Sequence, residues 1–110
     1  MTRVTIRRSG AAIISISAEG HSGYAEAGSD IVCAAVSSAT RLTINALTEI
    51  ASISGEITVD GDKPLMGFAF RTQGDAMAPM AQAFLRAYQL EIEQIAAEYS
   101  KYIEVILMEV

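Results

Sequence analysis

Hydrophobic and polar residues alternate at the start of the chain. In residues 2–7, Val4 and Ile6 occupy one face of a predicted strand, and charged or hydroxyl-bearing residues occupy the other. Residues 8–10 have the composition of a turn, and the β-branched run 11–18 is predicted to be the returning strand. The first element is therefore predicted to be a β-hairpin.

Helical spacing of apolar residues marks two longer segments. In residues 31–53 one face carries Val32, Val36, Ala39, Thr43, Ala46 and Ile50. Ser29 or Asp30 is the expected N-cap of this helix, which would place Cys33 in its first turn. In residues 75–99 the apolar stripe is Met77, Ala81, Phe84, Tyr88, Ile92, Ile95 and Tyr99. Pro79 must lie in or near the first turn of that second helix.

Three further strands complete the pattern. Residues 56–60 and 65–71 flank a turn at 61–64, and residues 102–109 form the last strand. The last strand is apolar on both faces, so we expect it to be interior or covered by a partner. The order ββαββαβ predicts an α+β domain with one mixed or antiparallel sheet and two helices packed on it. The second face of such a sheet stays open, which makes a homodimer plausible.

Composition narrows the class of protein. The 110 residues suggest a single domain, and the net charge of −5 disfavours nucleic-acid binding, which depends on basic surface. One cysteine excludes an internal disulfide and every multi-cysteine metal pattern, so no metal or other cofactor is expected. We see no signal-peptide core and no apolar run approaching the roughly 18 residues of a membrane span, so a cytoplasmic location is expected.

The single histidine and the single cysteine lie close together in the sequence. His21 and Cys33 are twelve residues apart, in the segment GHSGYAEAGSDIVCAAVS at residues 20–37. A cysteine thiolate is a nucleophile, and a neighbouring imidazole can stabilise it and later protonate a leaving amine. Free N–H groups at the helix start could hold an oxyanion. Asp30 either caps the helix or orients the imidazole.

The same residues have ordinary structural interpretations. A lone cysteine near the apolar stripe of a helix is commonly a small core residue, and a lone loop histidine is commonly solvated. Gly20, Gly23 and Gly28 could simply permit tight turns. Residue chemistry alone leaves the catalytic and structural interpretations of Cys33 about equally supported.

The segment around Cys33 resembles the signature of the ribosomal-processing cysteine proteases, the Prp family. That signature has a Gly-His pair, a short glycine-bearing loop, and then Gly-x-Asp-Ile-Val-Cys-Ala-Ala-Val-Ser. The matching positions here are Gly20, His21, Gly28, Asp30, Ile31, Val32, Cys33, Ala34, Ala35, Val36 and Ser37. The length and the order of elements are similar across nearly the whole chain.

The resemblance implies a specific activity. Family members are dimeric Cys–His endopeptidases that remove an N-terminal extension from a large-subunit ribosomal protein, cutting after an aromatic residue in an apolar segment. By this resemblance residues 1–110 are one cysteine protease domain, Cys33 is the nucleophile and His21 is the general base. Asp30, Gly20 and Gly28 would support the site, Ala34 and Ser37 would bind substrate, and an apolar groove is expected near Cys33.

Two other functions remain open at this point. One is a non-catalytic module that binds a ribosomal protein and buries Cys33. The other is a different thiol enzyme, an acyl transferase or thioesterase, that uses the same Cys/His pair. We also expect residues 22–29 to form a mobile lid over the thiol, because the two flanking glycines leave the loop little to fix its conformation.

Overall fold

The computed structural model describes residues 1–20, 27–60 and 65–110, with the backbone alone described for residues 27–30. The strands are β1 (Thr2–Ser9), β2 (Ala12–Glu19), β3 (Gly55–Asp60), β4 (Leu65–Phe70) and β5 (Ile103–Glu109). The helices are α1 (Ala27–Asn45), which continues into a π-helical turn (Ala46–Ile50), the short α2 (Gln73–Ala76) and α3 (Pro79–Glu98). Apart from α2, this is the predicted ββαββαβ order.

The five strands form one mixed sheet in the order β3-β4-β2-β1-β5. The pairs β1–β2, β2–β4 and β3–β4 are antiparallel, whereas β1 and β5 are parallel. Both edges of the sheet are therefore strands of the second half of the chain, and the N-terminal hairpin supplies its centre. The predicted fold class, α+β with a mixed sheet, is confirmed.

Both long helices pack on the same face of the sheet. α1 contacts β1, β2 and β4, and α3 contacts β2 and β5. The core between the layers is built from aliphatic residues on the helix-facing side of the central strands and on the inner faces of the helices. Its fully buried members include Val4, Ile6, Ile13, Ile16, Val32, Val36, Leu47, Leu85 and Ile92.

The hydrophobic stripes differ in detail from the predicted ones. Val32, Val36 and Thr43 of α1 are buried as expected, but Ile50, at the end of the π-helical turn, is 69% exposed. Thr40, Ile44 and Leu47 are buried although the predicted face did not include them. The π-helical turn explains part of this shift, because its wider turn rotates the positions that follow Asn45.

The second predicted helix is divided in two. α2 is capped by Thr72, whose hydroxyl accepts the Asp75 N–H at 3.1 Å, and α3 begins at Pro79 as the position of that proline required. Because Met77 lies in the break, its side chain is 59% exposed and does not join the stripe. The buried residues of α3 are Ala81, Leu85, Tyr88, Ile92 and Ile95.

Of the two alternatives expected for the last strand, an interior position is contradicted, and cover by a partner stays a prediction. Among the described strands β5 pairs only with β1 and lies at an edge of the sheet. Ile103 is buried, whereas Leu107 and Met108 are exposed, so β5 is not an interior strand. Its two-sided apolar pattern reflects uncovered apolar surface at this edge.

In the part of the chain that the structure describes, one helix meets the length and composition of a membrane span, contrary to the expectation from the sequence. The segment Ile31–Ile50 has a mean hydropathy of 1.3. Val32, Val36 and Leu47 of this segment are fully buried against the sheet and α3. Burial in the core accounts for part of the hydropathy of this segment, whereas Ile31, Leu42 and Ile50 are exposed.

Candidate active site

Cys33 lies in the second turn of α1. The helix begins at Ala27, six residues before it. Val32, Val36 and Thr40, at helical spacing, are buried and fix this side of α1 against the core. Cys33 adjoins that row, and its side chain is half-buried with a free thiol.

The expected N-cap is wrong. Ser29 and Asp30 lie within the first turn of α1, because the helix begins earlier than the sequence signals indicated. The unpaired N–H groups of a helix belong to its first four residues, here 27–30, so the N–H of Cys33 lies beyond them. The predicted role of Asp30 as a partner of the imidazole stays a prediction, as does the supporting role of Gly28.

His21 lies outside the described residues, as does most of the predicted lid. Residues 27–29, which were predicted to belong to that loop, are the start of α1. Gly20 is the last described residue before the gap and is buried after the end of β2. Its role at the site is untested.

A cleft lies between α1 and the edge of the sheet, one helical turn from Cys33. It has a volume of about 170 Å³ and is lined by Ala18, Ser37, Val59, Asp60, Leu65 and Met66. We call it the α1–β3 cleft. Ser37 is four residues after Cys33, so both side chains lie on the same side of α1.

The two predicted substrate-binding residues differ in position. Ser37 lines the α1–β3 cleft, whereas Ala34 is exposed and is one residue, or about 100°, around the helix from Cys33. The lining residue Val59 was missed by the sequence analysis. The sequence does show Ile57 and Val59 at alternate positions of a short predicted strand. It does not show which elements lie next to that strand, so a role for Val59 in a cleft could not be predicted.

A larger described cleft lies on the opposite, helix-free face of the sheet. Its volume is about 340 Å³, and its lining includes Ser15, Ser17, Glu56 and Thr58. These residues pair across the strands with Ala69 and Gly67 on the side of the sheet away from Phe68 and the core. This cleft and the helix α1 that carries Cys33 lie on opposite faces of the sheet. Although it is larger than the α1–β3 cleft, it is therefore not part of the candidate active site. Within residues 1–20, 27–60 and 65–110 we find no cluster of three or more His, Cys, Asp or Glu side chains that could hold a metal.

Comparison with known proteins identifies the family. Residues 1–104 match the sequence profile of the family described as "Cysteine protease Prp". The chain belongs to the Prp family of cysteine proteases. It is 30% identical over 107 residues to the "Ribosomal processing cysteine protease Prp" of Bacillus subtilis (strain 168), covering 96% of each chain.

Solved structures of similar proteins share the fold. SMU.848 from Streptococcus mutans superposes with a TM-score of 0.88 and 26% identity, covering 100% of this chain and 96% of the other. An essential ribosomal processing protease Prp from S. aureus, in complex with a substrate peptide, gives a TM-score of 0.86 and 22% identity, covering 97% and 99%. The family profile and the B. subtilis relative confirm the Prp family resemblance expected from the sequence, and the chain is a cysteine protease of that family.

Proposed function

We propose that this Prp-family protease removes the N-terminal extension of a large-subunit ribosomal protein, with Cys33 as nucleophile and His21 as general base. Residues 1–110 would act as one protease domain. The observation that carries the proposal is the position of Cys33. Its free, half-buried thiol stands beside the buried row of α1 and one turn from a cleft. A thiol in the core could not reach a peptide bond, whereas this one adjoins the surface.

The ends of the described chain support a role for His21. Ala18 lines the α1–β3 cleft together with Ser37. His21 follows Ala18 by three residues, and Cys33 precedes Ser37 by one helical turn. The chain therefore leaves β2 on the side of the molecule where the thiol lies. In this proposal His21 takes the thiol proton and returns it to the leaving amine.

The charge of the chain agrees with the proposed substrate. Ribosomal proteins are basic, and the chain carries a net charge of −5. Long-range attraction between opposite charges raises the rate of encounter. Within the proposal the enzyme acts in the cytoplasm, where ribosomes assemble.

We also propose that the protease is a homodimer that uses no cofactor and binds no nucleic acid directly. Uncovered apolar side chains on the edge strand β5, Leu107 at 53% and Met108 at 41% exposure, support association with a second copy. Sedimentation of the purified chain measures this oligomeric state.

The decisive experiment follows cleavage of the precursor ribosomal protein by mass spectrometry. Wild type should release the N-terminal extension, and Cys33→Ala should lower the rate by several orders of magnitude. Ser38→Ala, on an exposed face of the same helix, is the matched control and should cleave at the wild-type rate. Equal cleavage by wild type and Cys33→Ala would refute the proposal.

A further inference from the structure

Arg8 lies at the end of the buried row of β1. Val4 and Ile6, at alternate positions before it, are fully buried, and alternation gives Arg8 the same helix-facing side of the sheet. Its partner on β2 is Ile13, which is also buried. The Arg8 Nε atom is buried and has no hydrogen-bond partner among the described residues. A shielded N–H of a charged group is costly without an acceptor, so this group needs a partner that the described chain does not supply.

The Arg8 side chain shares a cleft with a second arginine. The cleft has a volume of about 270 Å³ and is lined by Arg8, Arg86, Gln89, Leu90 and Glu93. The four lining residues of α3 are spaced i, i+3, i+4 and i+7, so they form one face of the helix. We call this site the Arg8–α3 cleft.

Neither guanidinium is neutralised within the part of the chain that the structure describes. No described carboxylate lies within ion-pair distance of Arg8 or Arg86, including that of Glu109, the neighbour of Arg8 on β5. The Glu93 carboxylate accepts the Gln89 amide N–H at 2.8 Å instead. Two unpaired guanidiniums on one cleft are suited to an oxyanion, because each planar group can donate to two oxygens at once.

The other residues of the cleft limit which oxyanion fits. A phosphate monoester carries a charge of about −1.5 to −2 at pH 7, so the Glu93 carboxylate repels it more strongly than it repels a singly charged carboxylate. Leu90 is 59% exposed and offers apolar surface on the same wall. Sites for drug-sized ligands have volumes of roughly 300–1,000 Å³, so this cleft suits a smaller molecule.

We propose that the Arg8–α3 cleft binds a small monocarboxylate, with its carboxylate on Arg8 and Arg86 and its apolar group on Leu90. A turn of the Arg8 side chain brings its Nε–H edge into the cleft, where the carboxylate is the acceptor that this group lacks. A free aliphatic acid and the C-terminal residue of a peptide present the same two groups.

This site is separate from the candidate active site. Ala18, which lines the α1–β3 cleft, pairs with Val4 of β1. Arg8 is four residues further along that strand, about 14 Å away for an extended chain. The inference therefore goes beyond the proposed function, and its test needs no proteolysis.

The test follows the arginine Nε–H signals of the isotope-labelled protein by NMR during ligand titration. The ligands are isocaproate, its uncharged amide, N-acetyl-leucine and methyl phosphate. Arg8→Met and Arg86→Met each keep an apolar stem and remove one guanidinium, and Arg86 is exposed, so its variant should fold as wild type. Arg41→Met, at an exposed arginine of α1, is the matched control.

Isocaproate should shift the Arg8 and Arg86 signals, and its amide should not. Each of the two cleft variants should raise Kd for isocaproate about tenfold or more, whereas Arg41→Met should match wild type. Glu93→Gln should strengthen the binding of methyl phosphate more than that of isocaproate, because it removes the repulsion. The tighter ligand of isocaproate and N-acetyl-leucine identifies the source of the carboxylate, and either result supports the site.

Three results would overturn the proposal. The first is that no carboxylate moves either arginine signal. The second is an unchanged Kd in Arg86→Met, or methyl phosphate binding to wild type as tightly as isocaproate. The third is that Glu109→Gln moves the Arg8 signal while isocaproate does not, which would make Glu109 the partner of Arg8 in solution.

Discussion

The hydroxyl groups of Thr40 and Tyr88 lie 2.8 Å apart and join α1 to α3 inside the core. Thr40 Oγ1 also donates to the Val36 carbonyl at 2.7 Å. Because a threonine hydroxyl has one proton, Tyr88 is the donor in the bond between the two side chains. Both residues are almost fully buried, at 0% and 2% exposure.

The direction of this bond predicts unequal effects of two conservative substitutions. Thr40→Val leaves the Tyr88 O–H buried without an acceptor and should lower the free energy of unfolding by about 1–3 kcal/mol. Tyr88→Phe removes the donor, leaves the Thr40–Val36 bond intact and should cost only about 0.5–1.5 kcal/mol. The double variant should be more stable than Thr40→Val alone.

Urea denaturation of wild type, the two single variants and the double variant measures these differences in the free energy of unfolding. Strict additivity of the two single effects would contradict the assigned direction of the bond. The slope of unfolding free energy against urea should be the same in all four, which confirms that the denatured state has not changed.

Tyr88 also predicts a loss of stability at alkaline pH. Burial raises the pKa of Tyr88 to about 12 from the ordinary value of 10.0, against a smaller lowering by the Thr40 hydroxyl, which can turn its proton toward a phenolate. Between these two values the unfolded chain loses the proton and the folded chain keeps it. The free energy of unfolding should therefore fall as pH rises from 10 to 12, by about 1.4 kcal/mol per pH unit.

Below pH 9 the Tyr88 hydroxyl should contribute no pH dependence, because both states are protonated there. Melting temperatures of wild type and Tyr88→Phe between pH 8 and 12 measure the effect. The difference between the two proteins should narrow or reverse above pH 10. Parallel curves across the whole range would contradict the raised pKa.

Gly55 is required by close packing against an aromatic ring. A Cβ atom there would overlap the Phe68 ring and lie 2.9 Å from the Ala69 carbonyl oxygen. The Phe68 ring is held by an edge-to-face contact with Phe70, with the ring centroids 5.1 Å apart, so it cannot move freely. Gly55→Ala should destabilise the protein by about 1–3 kcal/mol.

Gly74 provides the matched control for that substitution. A Cβ atom at Gly74 meets only Thr72 Oγ1, at 3.9 Å, and the residue lies in the short helix α2. Gly74→Ala should be neutral or stabilising by up to about 1 kcal/mol, because alanine favours helix. Thermal unfolding of both variants tests the pair, and equal effects would show that the Phe68 contact is unimportant.

The sequence predicted the elements that depend on local patterns. Alternation in β1, and Met66, Phe68 and Phe70 on one face of β4, were predicted correctly because period and pairing agree in those strands. The returning strand β2 was predicted from its β-branched residues. The start of α1 was missed because Ser29 and Asp30 are good caps by residue type, yet the helix begins at Ala27. A residue that is suited to cap a helix can also lie inside its first turn, so residue type alone does not fix where the helix begins.

Features that depend on distant contacts could not be predicted. Gln82 binds the backbone N–H and C=O of Ile13, each at 2.8 Å, although the two residues are 69 positions apart. The sheet order depends on distant contacts as well. β5 pairs in parallel with β1, and β3 lies at the other edge of the sheet. For this reason the motif around Cys33 was visible in the sequence, whereas Val59 on the neighbouring strand was not.

The last prediction concerns His21, the only histidine in the chain. If His21 is the base for Cys33, the two side chains act as a unit, and their removal is strongly non-additive. His21→Ala should therefore reduce cleavage of the precursor nearly as much as Cys33→Ala, and the double variant should be scarcely worse than either. Rates of peptide cleavage for the three variants measure this. Near-full activity of His21→Ala would show that another group activates the thiol, while multiplicative losses would show that the two residues act separately. A Ser22→Ala variant controls for disturbance of the adjoining chain and should keep most of the activity.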